Sequence, residues 1–228
     1  LILWSNMRLE GSGMLETRLK LQDNDFGYYN GEYTFGGFIR AYKQSNITIV
    51  DLTLDGNKYN QLDDRDSPNY PTIKDQYSYG QFSLFTKVCD DVFVDNINVV
   101  RWNGYGIDPH GETGEYVFSN NFKATNSIFR DNEWDGIAID KCSDVILTGN
   151  IIENNGRHGI NIGTGSYNVI INNNQVHDNG YFYYGKYTEN RNNIKASGCG
   201  IKVHNNEDWG TKDVIVSNNI ITNSNFSN

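Results

Sequence analysis

The chain has 228 residues, with 19 Lys and Arg against 28 Asp and Glu, a formal net charge of −9 and a pI near 4.8. An acidic field of this size argues against nucleic acid or an anionic membrane as the main partner, since both are held chiefly by Lys and Arg on phosphates. The 15 Tyr, 11 Phe and 23 Gly, with no apolar run long enough to span a bilayer as a helix, point to one β-rich domain over residues 1–228.

Residues 1–60 hold short apolar segments punctuated by Gly11-Ser12-Gly13 and Asp23-Asn24-Asp25 and read as irregular early strands. Asn46-Ile47-Thr48-Ile49, running to Leu52-Thr53-Leu54, is the first clear period-2 segment, and Asp91 begins the next copy 45 residues later. That interval is expected to cover nearly two coils, with an excursion near residues 58–87 that contains the polar run Gln61–Pro68 and then Lys74-Asp75. From there the repeat tightens: segments beginning at Asn121, Asp144 and Asn168 start 23 and 24 residues apart. Each is followed by an Asn-rich turn and a second short strand of the form x-Gly-Ile-x. Its copies are Tyr105-Gly106-Ile107-Asp108-Pro109, Asp135-Gly136-Ile137, His158-Gly159-Ile160 and Cys199-Gly200-Ile201. A second excursion, near 181–197, is rich in Tyr and includes Tyr184 and Lys186; 41 residues separate His158 from Cys199, 17 more than one 24-residue coil. A last first-strand copy is Asp213–Ile221.

Short period-2 strands recurring every 23 to 24 residues describe an all-β parallel β-helix, in which each repeat is one coil of a solenoid. Most of its Asn residues are scaffold, because Asn tolerates left-handed backbone and stacks in ladders. Neither end carries the polar cap a solenoid needs, so a fragment is expected.

Stacking converts alignment into geometry. Equivalent residues lie one strand spacing apart, roughly 4.8 Å. Ile107, Ile137, Ile160 and Ile201 form an inward row; Asp108, Ala138, Asn161 and Lys202 form an outward one, as do His110, Asp140 and Gly163. Asp108 and His110 should therefore share an exposed face with Asp140 one coil along, while Arg157 and His158 enter at the register of Gly104 and Tyr105. Pro109 takes an inward position where later coils have Ile139 and Ile162, and its missing N–H should interrupt the ladder. Tyr105, Asp108, His110 and Asp140 are thus the candidate catalytic cluster.

Lys74, Lys141, Arg157, Lys186, Lys195 and Lys202 are candidates for a basic groove, and the aromatic insertion suits stacking on sugar rings. His177 and His204 read as surface residues. Cys89, Cys142 and Cys199 follow no paired or metal-binding spacing and read as free thiols. A closed zinc ligand set is missing; a Ca²⁺ site of Asp and backbone oxygens is compatible with the composition but has no position.

The string Tyr105-Gly106-Ile107-Asp108-Pro109-His110, then Asp135-Gly136 with Asp140, then Arg157-His158-Gly159, resembles the catalytic module of the Ca²⁺-dependent, secreted mannuronan C5-epimerases. The similarity extends back through Asp51–Asn57 and Leu9–Met14. It implies a right-handed β-helix, a monomer acting outside the cell on alginate, an anionic polysaccharide, with conversion of β-D-mannuronate to α-L-guluronate. Carried over by position, it implies Tyr105, Asp108, His110 and Asp140 as catalytic and Asp75 and Arg157 as groove residues. Lys74 lies one place from the family's groove lysine. His158, Lys202, Tyr184 and Lys186 complete the candidate substrate-binding set. The family's calcium-binding repeat modules have no counterpart here.

The residues suit that chemistry. Removing the proton α to a carboxylate requires the carboxylate to be neutralised first, by a shared proton on the Asp108/Asp140 pair or by Lys74 or Arg157. Inversion then needs a base and an acid on opposite faces of the ring; the expectation is Tyr105 as base, assisted by a cation, and His110 as donor. A lyase shares the first step and expels the 4-O group instead. An inverting glycoside hydrolase would use Asp108 and Asp140 but leave Tyr105 and His110 idle. A non-catalytic polysaccharide-binding solenoid needs no such cluster.

Overall fold

Runs of three to five alternating residues are too short to form a sheet alone, and they are separated here by residues that accept left-handed backbone. Such a chain turns a corner every few residues and buries its apolar side by stacking each coil on the one before. In the computed structural model, residues 1–23, 37–60, 82–112, 116–180, 198–205 and 210–224 are described. The first six strands are β1 (Arg8–Glu10), β2 (Arg18–Lys20), β3 (Gly37–Tyr42), β4 (Ser45–Asp55), β5 (Phe82–Lys87) and β6 (Asp90–Val100). Next come β7 (Ile107–His110), β8 (Ser119–Thr125), β9 (Ile128–Arg130), β10 (Ile137–Asp140), β11 (Cys142–Thr148) and β12 (Ile151–Glu153). The last are β13 (Ile160–Gly163), β14 (Tyr167–Asn172), β15 (Gln175–His177), β16 (Ile201–Val203), β17 (Lys212–Ser217) and β18 (Ile220–Thr222). None of the described helices is long and apolar enough to cross a membrane.

One wall has the strand order β16-β13-β10-β7-β5-β3. The remaining strands run β17-β14-β11-β8-β6-β9-β12-β15-β18, with β1, β2 and β4 joined to them through β4. The expected repeat is present: Val145 pairs with Val169, and Ile137 with Ile107 and Ile160, all in parallel register. The irregular start also has a place, with β1 on the first half of β4 and β2 on its second half.

The long strands β4 and β6 serve two walls each because they bend at Asp51 and Asn96, with φ of 60° and 51°. In later coils this corner becomes Asn126, Gly149, Asn173 and Asn218, all left-handed. The residue after each corner does different work. Asn150 Nδ2 donates to Asn174 Oδ1 at 3.0 Å, and Asn174 Nδ2 to Asn219 Oδ1 at 2.9 Å. A second buried ladder joins Asn132 to Asn155 and Asn155 to Asn179, each at 2.9 Å. Corner residues and ladder residues are thus adjacent but distinct. Inside them, Ile107, Ile137 and Ile160 stack fully buried with Ile49, Leu54, Val94 and Phe129. Each such side chain contributes about 1.5–3 kcal/mol by leaving water. Cys89, Cys142 and Cys199 are free, the first two buried, as expected.

One expectation fails. Ser45 pairs with Asp90 and Asp55 with Val100, so the 45 residues from Asn46 to Asp91 are one coil and not nearly two. The excess lies between β4 and β5.

Candidate active site

The wall of β5, β7, β10, β13 and β16 lines up the groups singled out in the sequence. Phe85 pairs with Asp108, Asn161 with Ala138 and with Lys202, giving one outward row. The next row runs from Lys87 through His110 and Asp140 to Gly163. Asp140 therefore lies directly beside His110. Between β7 and β10 only Ile107 and His110 find paired partners, whereas β10 and β13 pair at four consecutive positions. Pro109 interrupts the ladder where its missing N–H requires.

The face is not the exposed one expected. Asp108 is 4% exposed and its Oδ1 has no hydrogen-bond partner. Ala138 is buried, while His110 and Asp140 are half-buried. Large rings flank the row: Tyr105 lies 5.0 Å from Trp134 and 5.1 Å from Phe82, and Phe85 lies 6.2 Å from the His110 ring. Burial pushes the Asp108 carboxyl well above the usual carboxylate range, and the neighbouring Asp140 and Asp135 carboxylates push the same way. Both influences favour the protonated acid over the carboxylate at Asp108.

Tyr105 is likewise kept as a phenol, by burial first and by the Asp135 carboxylate second, with Arg157 acting against both. Arg157 Nη1 donates to the Tyr105 hydroxyl at 3.4 Å, and its guanidinium lies 5.9 Å from the Tyr105 ring centre and 6.0 Å from that of Trp134. The His110 Nδ1 is 2.5 Å from the Gly111 carbonyl oxygen. A carbonyl only accepts, so Nδ1 carries a proton, and Nε2 is the ring nitrogen left for a substrate. Asp140 Oδ1 accepts from the Thr164 hydroxyl at 2.7 Å.

Asp135 was not among the sequence candidates, and it organises the site. Its fully buried carboxylate accepts from the His158 N–H at 2.9 Å and from Asn161 Nδ2 at 3.0 Å, and lies 3.6 Å from Arg157 Nε. His158 is buried with its Nδ1 accepting from the Cys199 N–H at 3.2 Å. Burial, then Arg157, Lys202 and His204, lower its pKa to about 3, so it stays neutral. Lys202 extends the Asp108 row, two rungs beyond Ala138.

Three further placements differ from expectation. His204 is not a bland surface residue: its ring covers Gly163, and a Cβ there would sit 2.6 Å from His204 Nε2. Lys141 is 1% exposed, turned inward at a corner with φ 50°, and donates to the Glu112 carbonyl at 3.0 Å, so it is no groove lysine. Lys87, overlooked in the sequence, is in register with His110 and pairs with Glu112 at 2.5 Å. His177 lies on another wall beside Glu153 and Asp178. Lys74, Asp75, Tyr184, Lys186 and Lys195 lie outside the described residues. Among the described residues no group of three or more His, Cys, Asp or Glu is arranged to hold a metal ion.

The chain is similar to known proteins. Mannuronan C5-epimerase AlgE1 of Azotobacter vinelandii is 32% identical over 179 residues, 77% of this chain and 11% of that protein. Alginate lyase 7 of the same organism is 31% identical over 175 residues, 75% of this chain and 18% of that protein. The solved A-module of the A. vinelandii mannuronan C-5 epimerase AlgE4 superposes with a TM-score of 0.66 at 26% identity, covering 97% of this chain and 49% of that one. The chain thus spans a small part of these curated relatives and about half of the solved module. The family profile described as "Right handed beta helix region" matches residues 38–228, and the chain belongs to that family of right-handed parallel β-helices.

Proposed function

We propose that this wall is the active site of a mannuronan C5-epimerase, converting β-D-mannuronate to α-L-guluronate within alginate outside the cell. The observation that carries the reading is a buried Asp108, its pKa raised by burial, set beside Asp140, His110 and the Tyr105–Arg157 pair on one wall. The similarity to epimerases of alginate supports the substrate class.

Asp108, as the acid form, donates a hydrogen bond to the substrate carboxylate and stabilises the negative charge that builds up there as C5 loses its proton. His110 Nε2 takes the C5 proton, and the bond pair moves into the carboxylate. The Tyr105 phenol then returns a proton to C5 from the other face, and Arg157 supports the phenolate that forms. This reverses the roles expected from the sequence. The reversal is supported by the His110 hydrogen bond to Gly111, which leaves Nε2 as the ring nitrogen for a substrate, and by the burial that holds Tyr105 as a phenol. Proton exchange with solvent restores both groups.

A second reading has one specific observation behind it, the similarity to an alginate lyase. There the Tyr105 proton would go to O4 and the glycosidic bond would break. Proton NMR of polymannuronate incubated with the protein, read with ultraviolet absorbance, separates the two. Guluronate signals without new absorbance are expected. Rising absorbance with chain shortening would replace the epimerase by a lyase, and binding without either change would leave a polysaccharide-binding solenoid.

A further inference from the structure

In the row that runs from Phe85 to Lys202, two side-chain oxygens are buried without a hydrogen-bonding partner, Asp108 Oδ1 and Asn161 Oδ1; Ser83 Oγ and Thr86 Oγ1, also unpartnered, lie in other rows of β5. Their residues are 4% and 8% exposed, and between them the row carries only the methyl group of Ala138. Buried acceptors are rarely left unpaired in native proteins. The substrate carboxylate accounts for Asp108. The Asn161 oxygen has no role in the reaction above.

The Asn161 amide is not free to turn. Its Nδ2 donates to Asp135 Oδ2 at 3.0 Å, and Asp135 is itself fixed by the His158 N–H at 2.9 Å and by Arg157 at 3.6 Å. Flipping the amide would set its oxygen against a carboxylate oxygen, two acceptors in contact. Asn161 Oδ1 is therefore presented in one direction, away from Asp135, and calls for a donor. A metal ion is a poor candidate with Arg157 nearby and Lys202 next in register. A hydroxyl group is not.

We propose that Asn161 Oδ1 accepts a hydrogen bond from a ring hydroxyl of the bound uronate polymer, at a sugar position separate from the one at Asp108, with Asp135 as its positioning residue. The proposal rests on the reading of this wall as a polyuronate site. Asp108 and Asn161 stand two strand spacings apart, about 10 Å, too far for one hydroxyl to meet both. They contact different parts of a chain lying along the solenoid axis, and Lys202 provides a cation for a carboxylate beside the Asn161 position.

The test uses His110→Asn protein, in which binding is read without turnover. Calorimetric titrations with a mannuronate hexamer and its 2,3-di-O-methyl derivative compare a chain with and without hydroxyl donors. The derivative is expected to bind about tenfold more weakly, and adding Asn161→Ala should weaken the plain hexamer about fivefold while bringing the two ligands within about twofold of each other. If Asn161→Ala leaves the ratio between the ligands unchanged, the inference is wrong. Should the alanine variant fail to fold, Asn161→Ser, smaller and still able to donate to Asp135, is read in the same way. Failure of the His110→Asn protein to bind either hexamer overturns the polyuronate reading and this inference with it. The expected ratios in a wild-type protein that leaves polymannuronate unchanged would keep the hydroxyl position and remove the epimerase.

Discussion

Replacing Asp108 by Asn should stabilise the fold while removing activity. The carboxyl is 4% exposed, has an unpaired oxygen, and faces the carboxylates of Asp135 and Asp140. Its pKa in the fold lies well above the ordinary value of 3.8. A carboxyl raised in this way costs stability at pH values above its unfolded pKa, and the cost disappears as the pH falls to that value. The cost has a ceiling, because the group can always take up a proton. At pH 7 the ceiling is the free energy of protonating a free carboxyl, about 4 kcal/mol at 1.36 kcal/mol per pH unit. Asn is nearly isosteric and pays no such penalty, and its amide can donate to either neighbouring carboxylate. We expect Asp108→Asn to be about 2–4 kcal/mol more stable than wild type at pH 7, the advantage shrinking by up to about 1.4 kcal/mol per unit toward pH 4. Urea denaturation of both proteins across that range measures it. The acid sensitivity contributed by His158 is common to both and cancels in the difference. Turnover should fall by about 100-fold or more. An Asn variant that is no more stable at pH 7, or whose advantage does not change with pH, would mean that Asp108 is ionised in the fold.

Removing Asn155 by Asn155→Ala deprives the Asn132 amide, the Phe129 carbonyl and Asn179 of buried partners and should cost about 3–4 kcal/mol. Asn168→Ala, which loses a surface contact to Asp144 and places Ala at a left-handed φ of 53°, should cost about 1 kcal/mol, both read from urea midpoints. With a folded pKa of about 3 against an ordinary 6.5, His158 supplies stability that is full above pH 6.5 and lost as the pH falls toward 3. His158→Gln should therefore flatten the decline in melting temperature between pH 7 and pH 4. Arg157→Lys keeps the charge but cannot hold Tyr105 and Asp135 together, so kcat should fall about 10- to 100-fold with KM little changed. A rise in KM alone would move Arg157 from the Tyr105 phenolate to the substrate carboxylate.

The register of the solenoid was readable because equivalent residues repeat at 23 and 24 positions, and pairing Ile107 with Ile137 carried Asp140 to His110 without further information. Length alone misled between Asn46 and Asp91, since the excess over one coil is itself close to a coil. The neighbours on β5, Phe85 and Lys87, were hidden because Gln81-Phe82-Ser83-Leu84 lacks the x-Gly-Ile signature that marks the equivalent strands. Asp135 was visible as the residue before Gly136, in the column of Tyr105, His158 and Cys199. What no periodicity conveys is that this column turns toward the interior, where a carboxylate must gather N–H donors and an arginine. Lys141 was misread for the same reason: a left-handed corner carried a charged side chain inward. Patterns of period two locate a residue on a wall, but burial of an outward row depends on neighbours from other coils.

That burial answers a difficulty posed by the composition, because a chain of net charge −9 gathers three carboxylates on the wall proposed to bind a polyanion. Charge counting alone would have each of them repel the substrate. Burial between two other carboxylates shifts Asp108 toward its protonated form, in which it is a hydrogen-bond donor and not a repelling charge. Asp135 is spent on Arg157, His158 and Asn161, so its charge fixes groups that face a ligand. The cations follow along the axis: Arg157 precedes β13, and Lys202 lies on β16. On the proposed reading, a uronate chain lying across these coils meets the raised carboxyl of Asp108 at one step and cations at the next. The overall field acts at long range, where salt screens it beyond about 10 Å. At the rungs of the wall the local arrangement decides, and there the acidic residues contribute to binding by giving up their charge or by holding a cation in place.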